Sequence, residues 1–536
     1  ALAKEGSIAS VRFESAVVQP GAGPRLTLGE SILRVDPRDA LATARFDVSN
    51  GAVKLWQGMT LTGISGQVAP GDDLQELIVD LGGSYGGSTE KLWHAQGWLN
   101  PKARRGQLDV KADRFTLNRI SGVLQDTVLR DFDDTSVDAE LSIEVEDGKA
   151  DISGRLDLTG LSFFHEKLSE DVIENLSFEG EVMASFDSVA RTMKVLSMSV
   201  VTKGVTYKMS GEVALEGGLE SDGSVREFPR LTFQGTVPVA DCQAVLDSIP
   251  APILPKLQGF RLRGPFSAAI SLAIDWSDLD EKTKLDWTIN LPQCKVLSPA
   301  AEFSTTRLMT GFTHQILVGP AQFESVEIGM ASPNYVQIFD VSPYFLNAVL
   351  THEDSRFYDH KGFISREFRS ALISNLKAKT FKRGASSITM QMVKNVFLYR
   401  DKTMSRKLQE LFLTWYVERT LEKNRIFEIY VNAIEYGPGV YGIMEASRIY
   451  FDKHPRDLEP LEAAFLGQLL PAPRRRYFEY CKDKLSKRSK KKIERLLGHM
   501  NRRNRLSDED FEDAKNSEIE FNPVKERELC KKLPSW

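Results

Sequence analysis

At 536 residues the chain is too long for a single hydrophobic core, and its length predicts about three domains. Apolar residues at 42 % and charged residues at 27 % are ordinary for a globular chain and exclude a disordered or fibrous one. The net charge of -5 conceals a split: from residue 351 onward 38 Lys and Arg face 27 Asp and Glu, whereas the preceding residues carry 31 against 47. A basic C-terminal part points to an anionic partner: nucleic acid, a phospholipid surface or a phosphate-bearing substrate.

The longest apolar runs, such as Ala268–Ile274, fall far short of the roughly 20 residues a membrane helix needs. The chain opens on an alanine with no signal-peptide pattern, so it reads as trimmed, with an anchoring segment expected upstream. Cys242, Cys294, Cys481 and Cys530 show no C-x-x-C spacing. They read as buried thiols or, in an oxidising compartment, as the pairs Cys242/Cys294 and Cys481/Cys530, each within one domain.

Residues 1–300 read as β-rich. Alternation of apolar and polar residues recurs in Gln107–Ala112 and Leu141–Glu146, and the latter meets an Asp147-Gly148 turn and returns through Ala150–Leu158, a hairpin signal. Further strands are predicted at Lys194–Val201, Val205–Leu215, Leu231–Val237, Ser267–Asp275 and Lys284–Leu291, in an antiparallel sheet with one solvated side. Helical spacing interrupts at Leu117–Phe132 and Cys242–Leu257, each followed by a strand, so one duplication of a helix-plus-sheet unit is expected. In texture this half resembles the AsmA-like β-rich modules of Gram-negative envelope proteins.

Residues 301–343 are predicted as a connector, punctuated by Ser, Thr, Gly and Pro. From Tyr344 the period becomes 3.6, with helices expected at Tyr344–Glu353, Ser365–Lys379, Ser387–Leu398, Ser405–Glu422, Asn424–Ile434, Gly442–Tyr450, Pro460–Leu469 and Leu485–Asn504. The fold class is therefore multidomain α+β: a β-rich antiparallel half, a mostly α domain over 344–515 and a C-terminal tail over 516–536.

Polar and ionisable residues gather in four knots along the α domain. Glu353 and Asp354 sit at a helix end among His352, Arg356, Phe357 and His360, a setting that can raise a carboxyl pKa and suit it to acid–base work. Arg383 and Gly384 lead through Ser386 and Ser387 into a helix whose N-terminal amides favour an anion. Arg406 and Glu410 share a helix face at i,i+4, and Lys394, Lys402 and Lys407 lie nearby. Taken singly, each knot reads more simply as a cap, a surface ion pair or a solvated face.

Taken together, in this order and spacing, they resemble the family-51 peptidoglycan glycosyltransferases, the catalytic domain of class A penicillin-binding proteins and of monofunctional transglycosylases. The first motif of that family is matched at Glu353, Asp354, Phe357, His360 and Gly362. The second is matched at Gly384, Ser386, Ile388, Thr389, Gln391, Lys394 and Asn395, departing at Ser387, where the family has Thr, and at Met390, where it has Gln. Arg406, Lys407 and Glu410 match the third; Lys423, Ile426, Tyr430 and Asn432 match the fourth. Tyr436–Gly442, Glu462–Ala464 and Leu470–Pro473 look like its fifth region, and the resemblance covers about residues 330–515.

The resemblance implies a mostly α fold, lysozyme-like in its larger lobe, that polymerises lipid II without a fused transpeptidase. It gives Glu353 the role of base on the acceptor hydroxyl and Glu410 that of assistant near the pyrophosphate or a divalent cation, Mg or Mn. Asp354, His360, Arg383, Ser386, Thr389, Gln391, Lys394, Lys402, Arg406 and Lys407 become substrate or pyrophosphate ligands. Phe357, Gly362, Gly384, Asn395, Tyr430 and Asn432 become structural members. No metal site is certain from the sequence. The Met390 departure removes a polar contact and bears on donor positioning. Implied partners are lipid II, the growing glycan, a membrane surface met by the stretch Ala371–Lys382, and envelope proteins through the β-rich half, with no nucleic acid. The implied place is the periplasmic face of a Gram-negative inner membrane. The contrasting readings are an inactive envelope scaffold and a lysozyme-like glycosidase; polymer formation from lipid II separates all three.

Overall fold

The computed structural model describes residues 45–522 apart from 55–59, 72–74, 86–89, 220–224, 292, 320–321, 381–383 and 399–402, together with 10–12, 15–19, 26–27 and 530. The chain divides into two compact units. The first comprises Ala1–Pro255, Arg261–Leu297 and Leu372–Thr380, the second Lys256–Phe260, Ser298–Ala371 and Phe381–Trp536.

The first unit is organised by a sheet of 17 strands. The predicted hairpin forms between Ser136–Glu146 and Lys149–Phe163, paired antiparallel with Glu146 opposite Lys149. Asp147 and Gly148 take φ of 44° and 84°, the left-handed pair whose twist matches a two-residue hairpin. Along Lys149–Arg155 exposed and half-buried residues alternate, as a sheet with one wet face requires. The strands predicted from Lys194 to Leu291 appear as Thr192–Thr202, Val205–Leu219, Val225–Asp241, Pro265–Asp275 and Lys284–Asn290.

Both predicted helical stretches are shorter than their periodicity implies. In the first, only Leu117–Ile120 and Ser121–Leu124 are helical, because Leu129–Arg130 is taken as a strand against Lys149–Phe163. In the second, Cys242–Ser248 is α-helical, and Pro250, Pro252 and Pro255 then break it into single turns. Cys242 and Cys294 are joined in a disulfide.

Residues 301–343 hold more than a connector. They contain a helix, Thr305–Thr310, and an antiparallel hairpin, Gly311–Gly319 with Gln322–Gly329, where Phe312, His314 and Ile316 alternate inward. The helices follow as α1 (Pro343–Glu353), α2 (Ser365–Ala378), α3 (Ile388–Phe397), α4 (Met404–Thr420) and α5 (Lys423–Ala433). Then come α6 (Ile443–Phe451), α7 (Pro460–Leu469), α8 (Lys487–Asn501) and α9 (Asp508–Asn516). Helices α3, α5 and α7 form the middle of the core: Ile388, Met392, Val393, Ile426, Phe427, Ile429, Ala463, Phe465 and Leu466 are all fully buried. Phe260, far upstream in sequence, is 1 % exposed and packs on Phe303, Phe412 and Tyr416.

The tail also joins this core. Phe521 is buried against Phe451, Phe465 and Tyr480, and a second disulfide joins Cys481 to Cys530. In the stretch expected at a membrane surface, Ala371 and Ile373 are buried while Lys377 and Lys379 are exposed; Phe381 and Lys382 lie outside the described residues. No described helix is long and apolar enough to cross a membrane.

Candidate active site

Glu353 is the last residue of α1, where the helix has no further turn to cover its side chain. One carboxylate oxygen accepts a hydrogen bond from Gln391 Nε2 at 2.7 Å, and the other lies 2.6 Å from His352 Nδ1. The side chain is 10 % exposed, so it is held and yet reachable. Gln391 is held in turn by Tyr430, whose hydroxyl donates to its Oε1 at 3.2 Å. Tyr430 is wholly buried, and burial with the nearby charge of Glu353 pushes its phenol pKa well up, keeping it a neutral donor.

Glu410 is the second carboxylate, 1 % exposed on α4. Arg406 Nη1 and Lys407 Nζ reach its two oxygens at 2.5 and 2.6 Å, from one and just under one helical turn away. Two cations thus face one buried carboxylate group. Among the described residues no group of three or more His, Cys, Asp or Glu could hold a metal ion. Both Glu410 oxygens are engaged by these two cations.

Several of the remaining motif residues tie segments of the frame together. Asp354, expected to touch substrate, has a side chain 1 % exposed. It binds His360 Nε2 at 3.0 Å and accepts the Ile388 amide at 3.1 Å, tying the first knot to the start of α3. His360 is likewise occupied: its Nδ1 accepts the Gly362 amide at 3.0 Å. Thr389 is fully buried and donates to Glu418, which also pairs with Lys423 at 2.7 Å. Asp354 and Thr389 are thus enclosed by partners of their own, whereas the His360 side chain, 9 % exposed, is about as reachable as that of Glu353 although both its ring nitrogens are engaged.

The two departures from the family pattern have local explanations. Ser387 caps α3 by accepting the Met390 amide at 3.2 Å and donating to the Gly362 carbonyl at 2.7 Å, work that needs only a hydroxyl. Met390 is fully buried, so the lost amide is replaced by core packing and no cleft contact goes with it. Gly362 sits at φ 89°, and a Cβ there would come within 2.6 Å of Thr414 Cγ2 on α4. Phe357 packs on Phe427 with Lys423 over its ring, and Asn432 binds the Val336 backbone from both ends of its amide. Ser386, Lys394 and Asn395 are half-buried and Gly384 is exposed; Arg383 and Lys402 lie outside the described residues.

Sequence reasoning missed Arg476, in the single turn Pro473–Arg476. Its guanidinium is close enough to feel the charge of Glu353, burial lowers its pKa, and its Nη1 has no hydrogen-bond partner among the described residues. Lys492 on α8 is depressed by burial and then by Arg476 and Arg488, so these three cations crowd one region. The run Arg474-Arg475-Arg476 was the available signal; its distance from the four knots hid it.

A family model described as Transglycosylase matches residues 323–501. The chain is 34 % identical over 200 residues to penicillin-binding protein 2D of Bacillus subtilis, covering 37 % of this chain and 28 % of that protein. It is 42 % identical over 142 residues to a biosynthetic peptidoglycan transglycosylase of Bdellovibrio bacteriovorus, covering 26 % and 56 %. It is 36 % identical over 162 residues to a biosynthetic peptidoglycan transglycosylase of Acinetobacter baumannii, covering 30 % and 70 %. The chain thus spans only about a quarter to a little over two thirds of these relatives' lengths. A solved penicillin-binding protein 1A from Haemophilus influenzae matches 40 % of this chain and 22 % of that one at 19 % identity, with a TM-score of 0.21, too slight to bear on the fold. With the four knots in place inside the matched region, the chain belongs to the transglycosylase family.

Proposed function

We propose that the helical unit polymerises lipid II into glycan strands by an inverting transfer. Glu353 removes the proton from the acceptor sugar's 4-hydroxyl, that oxygen attacks the donor's anomeric carbon, and the polyprenyl pyrophosphate leaves with the bonding electron pair. Direct displacement inverts the anomeric centre and needs no covalent enzyme intermediate. Negative charge grows on the departing pyrophosphate, and cations fixed in advance stabilise it most where water is excluded. Arg406 and Lys407, already ordered on Glu410, serve that end, with Lys394 beside them in role. The setting of Glu353 carries this reading: a nearly enclosed carboxylate oriented through Gln391 by a neutral tyrosine.

A Mg or Mn ion belongs to this proposal only as a counter-ion that arrives on the pyrophosphate. The larger lobe of the helical unit is proposed to be lysozyme-like, with the substrate's lipid met at a membrane surface. The two disulfides favour an oxidising compartment, in keeping with the periplasmic face of an inner membrane. The β-rich unit, among whose described residues no such carboxylate arrangement stands out, is assigned a docking role toward envelope proteins or lipid. Incubating the full chain with lipid II in detergent tests the central claim: glycan polymer is expected, and its absence from folded protein overturns it.

A further inference from the structure

Between Arg474 and Arg495 the helical unit carries a surface that the reaction scheme above does not use. That stretch holds 11 Lys and Arg against 3 Asp and Glu, whereas a merely solvated face interleaves the two signs. Lys482, Lys484, Lys487, Arg488, Lys490 and Lys491 are all exposed.

Helix physics runs against this arrangement. After its cap at Ser486, α8 places Lys487, Arg488, Lys490, Lys491 and Lys492 in its first two turns, and Glu494, its one acid, comes after all five. The free amides at a helix start already present positive charge, so cations are unfavourable there, and like charges three or four residues apart repel. The next helix, α9, shows the favoured order, with Asp508, Glu509 and Asp510 in its first turn. Nearby acids do not answer the cations of α8 either. Glu479 accepts from the Ser486 amide and from the Ser486 and Ser489 hydroxyls, the latter two at 2.7 and 2.8 Å, so it is spent on the cap. Glu518 reaches Lys490 at 3.3 Å from a side chain 88 % exposed, where an ion pair contributes little. Lys492 has its pKa lowered by burial and then by Arg476 and Arg488, in keeping with an unanswered positive field.

An exposed ring stands beside these charges. Phe478, whose carbonyl accepts the Lys482 amide at 3.0 Å, is 43 % exposed. Cations that can face phosphates, set beside a ring that can enter the headgroup layer, are the chemistry of a peripheral lipid contact. An acidic protein would answer the charge without calling for the ring. Nucleic acid fits poorly with a surface held by the disulfide Cys481–Cys530, which favours an oxidising compartment.

We propose that this basic face docks on anionic phospholipid headgroups, with the exposed lysines toward the phosphates and Phe478 in the interface. The proposal rests on the reading of the chain as polymerase of a lipid-borne substrate. It gives that polymerase a membrane contact separate from the cleft and from the stretch Ala371–Lys382, and so holds it at the layer in which its substrate diffuses.

The test is co-sedimentation of the full chain with vesicles of phosphatidylglycerol and phosphatidylcholine, and with vesicles of phosphatidylcholine alone. Binding to the anionic vesicles is expected, weakening steeply as salt rises. A variant combining Lys482→Gln, Lys484→Gln, Lys487→Gln and Lys490→Gln should bind them about a hundredfold more weakly, because each cation near an anionic surface strengthens binding several-fold. Its thermal transition and its turnover on lipid II in detergent should match those of the parent chain, while turnover on lipid II embedded in the anionic vesicles falls. Phe478→Gln should weaken vesicle binding several-fold at low and high salt alike. Absent binding to the anionic vesicles, or equal binding by parent and variant, overturns the proposal. So does protection of these lysines from reductive methylation by polyglutamate but not by vesicles, which would make the partner an acidic protein. A chain that makes no polymer in detergent, yet loses vesicle binding on substitution, sinks the polymerase reading and leaves this surface standing. Polymerisation with vesicle binding indifferent to the substitutions does the reverse.

Discussion

The two units bury different things. Among the described residues of the β-rich unit the buried polar ones are neutral: Ser84, Asn100, Thr135, Ser162, Ser169, Ser248 and Thr283. In the helical unit Asp354, Glu410, Glu418, Glu428, Glu435 and Glu462 are all buried, each with a cation, an amide or a hydroxyl in reach. Meanwhile the sheet leaves Met183, Phe186, Met193 and Val213 facing solvent. Burying a charge is unfavourable unless it is answered, so a unit that does so repeatedly is organised around something other than its own stability. The contrast locates the chemistry before any motif is consulted.

Removing Glu353, the carboxylate assigned the base role, should have the largest effect. Glu353→Gln is expected to lower polymerisation by roughly 10²–10⁴-fold while the thermal transition stays put, because a general base contributes about that much. Turnover persisting in a folded variant would erase the distinction between the units.

The boundary between the units can be challenged next. Phe260 lies among β-rich sequence but packs in the helical core, so Phe260→Ala should destabilise the helical unit by about 3–5 kcal/mol in denaturant titration. A change confined to the sheet's unfolding would contradict this placement.

Acid sharpens the comparison. His314 titrates at about 4 when folded and near 6.5 when unfolded, so between those values the unfolded chain takes up a proton that the folded one refuses. Stability of the helical unit should therefore fall by up to about 3 kcal/mol as pH drops through that window, and then level off. His314→Phe should flatten that part of the profile, as read by thermal melts at stepped pH.

The smallest contrast lies within the basic residues themselves. Lys394→Ala should reduce turnover or substrate affinity about ten- to hundredfold, whereas Lys491→Ala, on the exposed face of α8, should leave both unchanged. Equal mild losses would place the anion elsewhere.

Much of this was legible from residue order. The Asp147-Gly148 turn dictates its hairpin through backbone geometry alone, and α7 spans the predicted residues Pro460–Leu469 because Pro and a Glu459–Glu462 capping box mark its start. The facing pair Arg406 and Glu410 follows from helical spacing. Other features depend on folding at long range. Tyr430 reads as a motif residue, but nothing local says that its hydroxyl orients Gln391. Nothing local says either that Asp354 and Thr389 are buried against the Ile388 amide and Glu418, because polar residues in a motif look alike before folding. The hairpin at 311–329 was hidden by glycine and threonine punctuation, although Phe312, His314 and Ile316 carry the period of a strand.

One absent atom is the most exacting part of the design, if exactness is measured by what cannot be varied. At Gly362 the amide reaches His360, the carbonyl receives Ser387, and the bare Cα faces Thr414, so three segments of the chain meet at one residue. Those segments lead to Glu353, to Gln391 and to Glu410. A methyl group there would wedge α4 away from the loop, while the positive φ already disfavours any side chain. The spacing of the acids is thereby quantised: no series of slightly larger residues leads gradually from this cleft to a wider one, and a substrate of different girth would demand a rebuilt junction rather than an adjusted one.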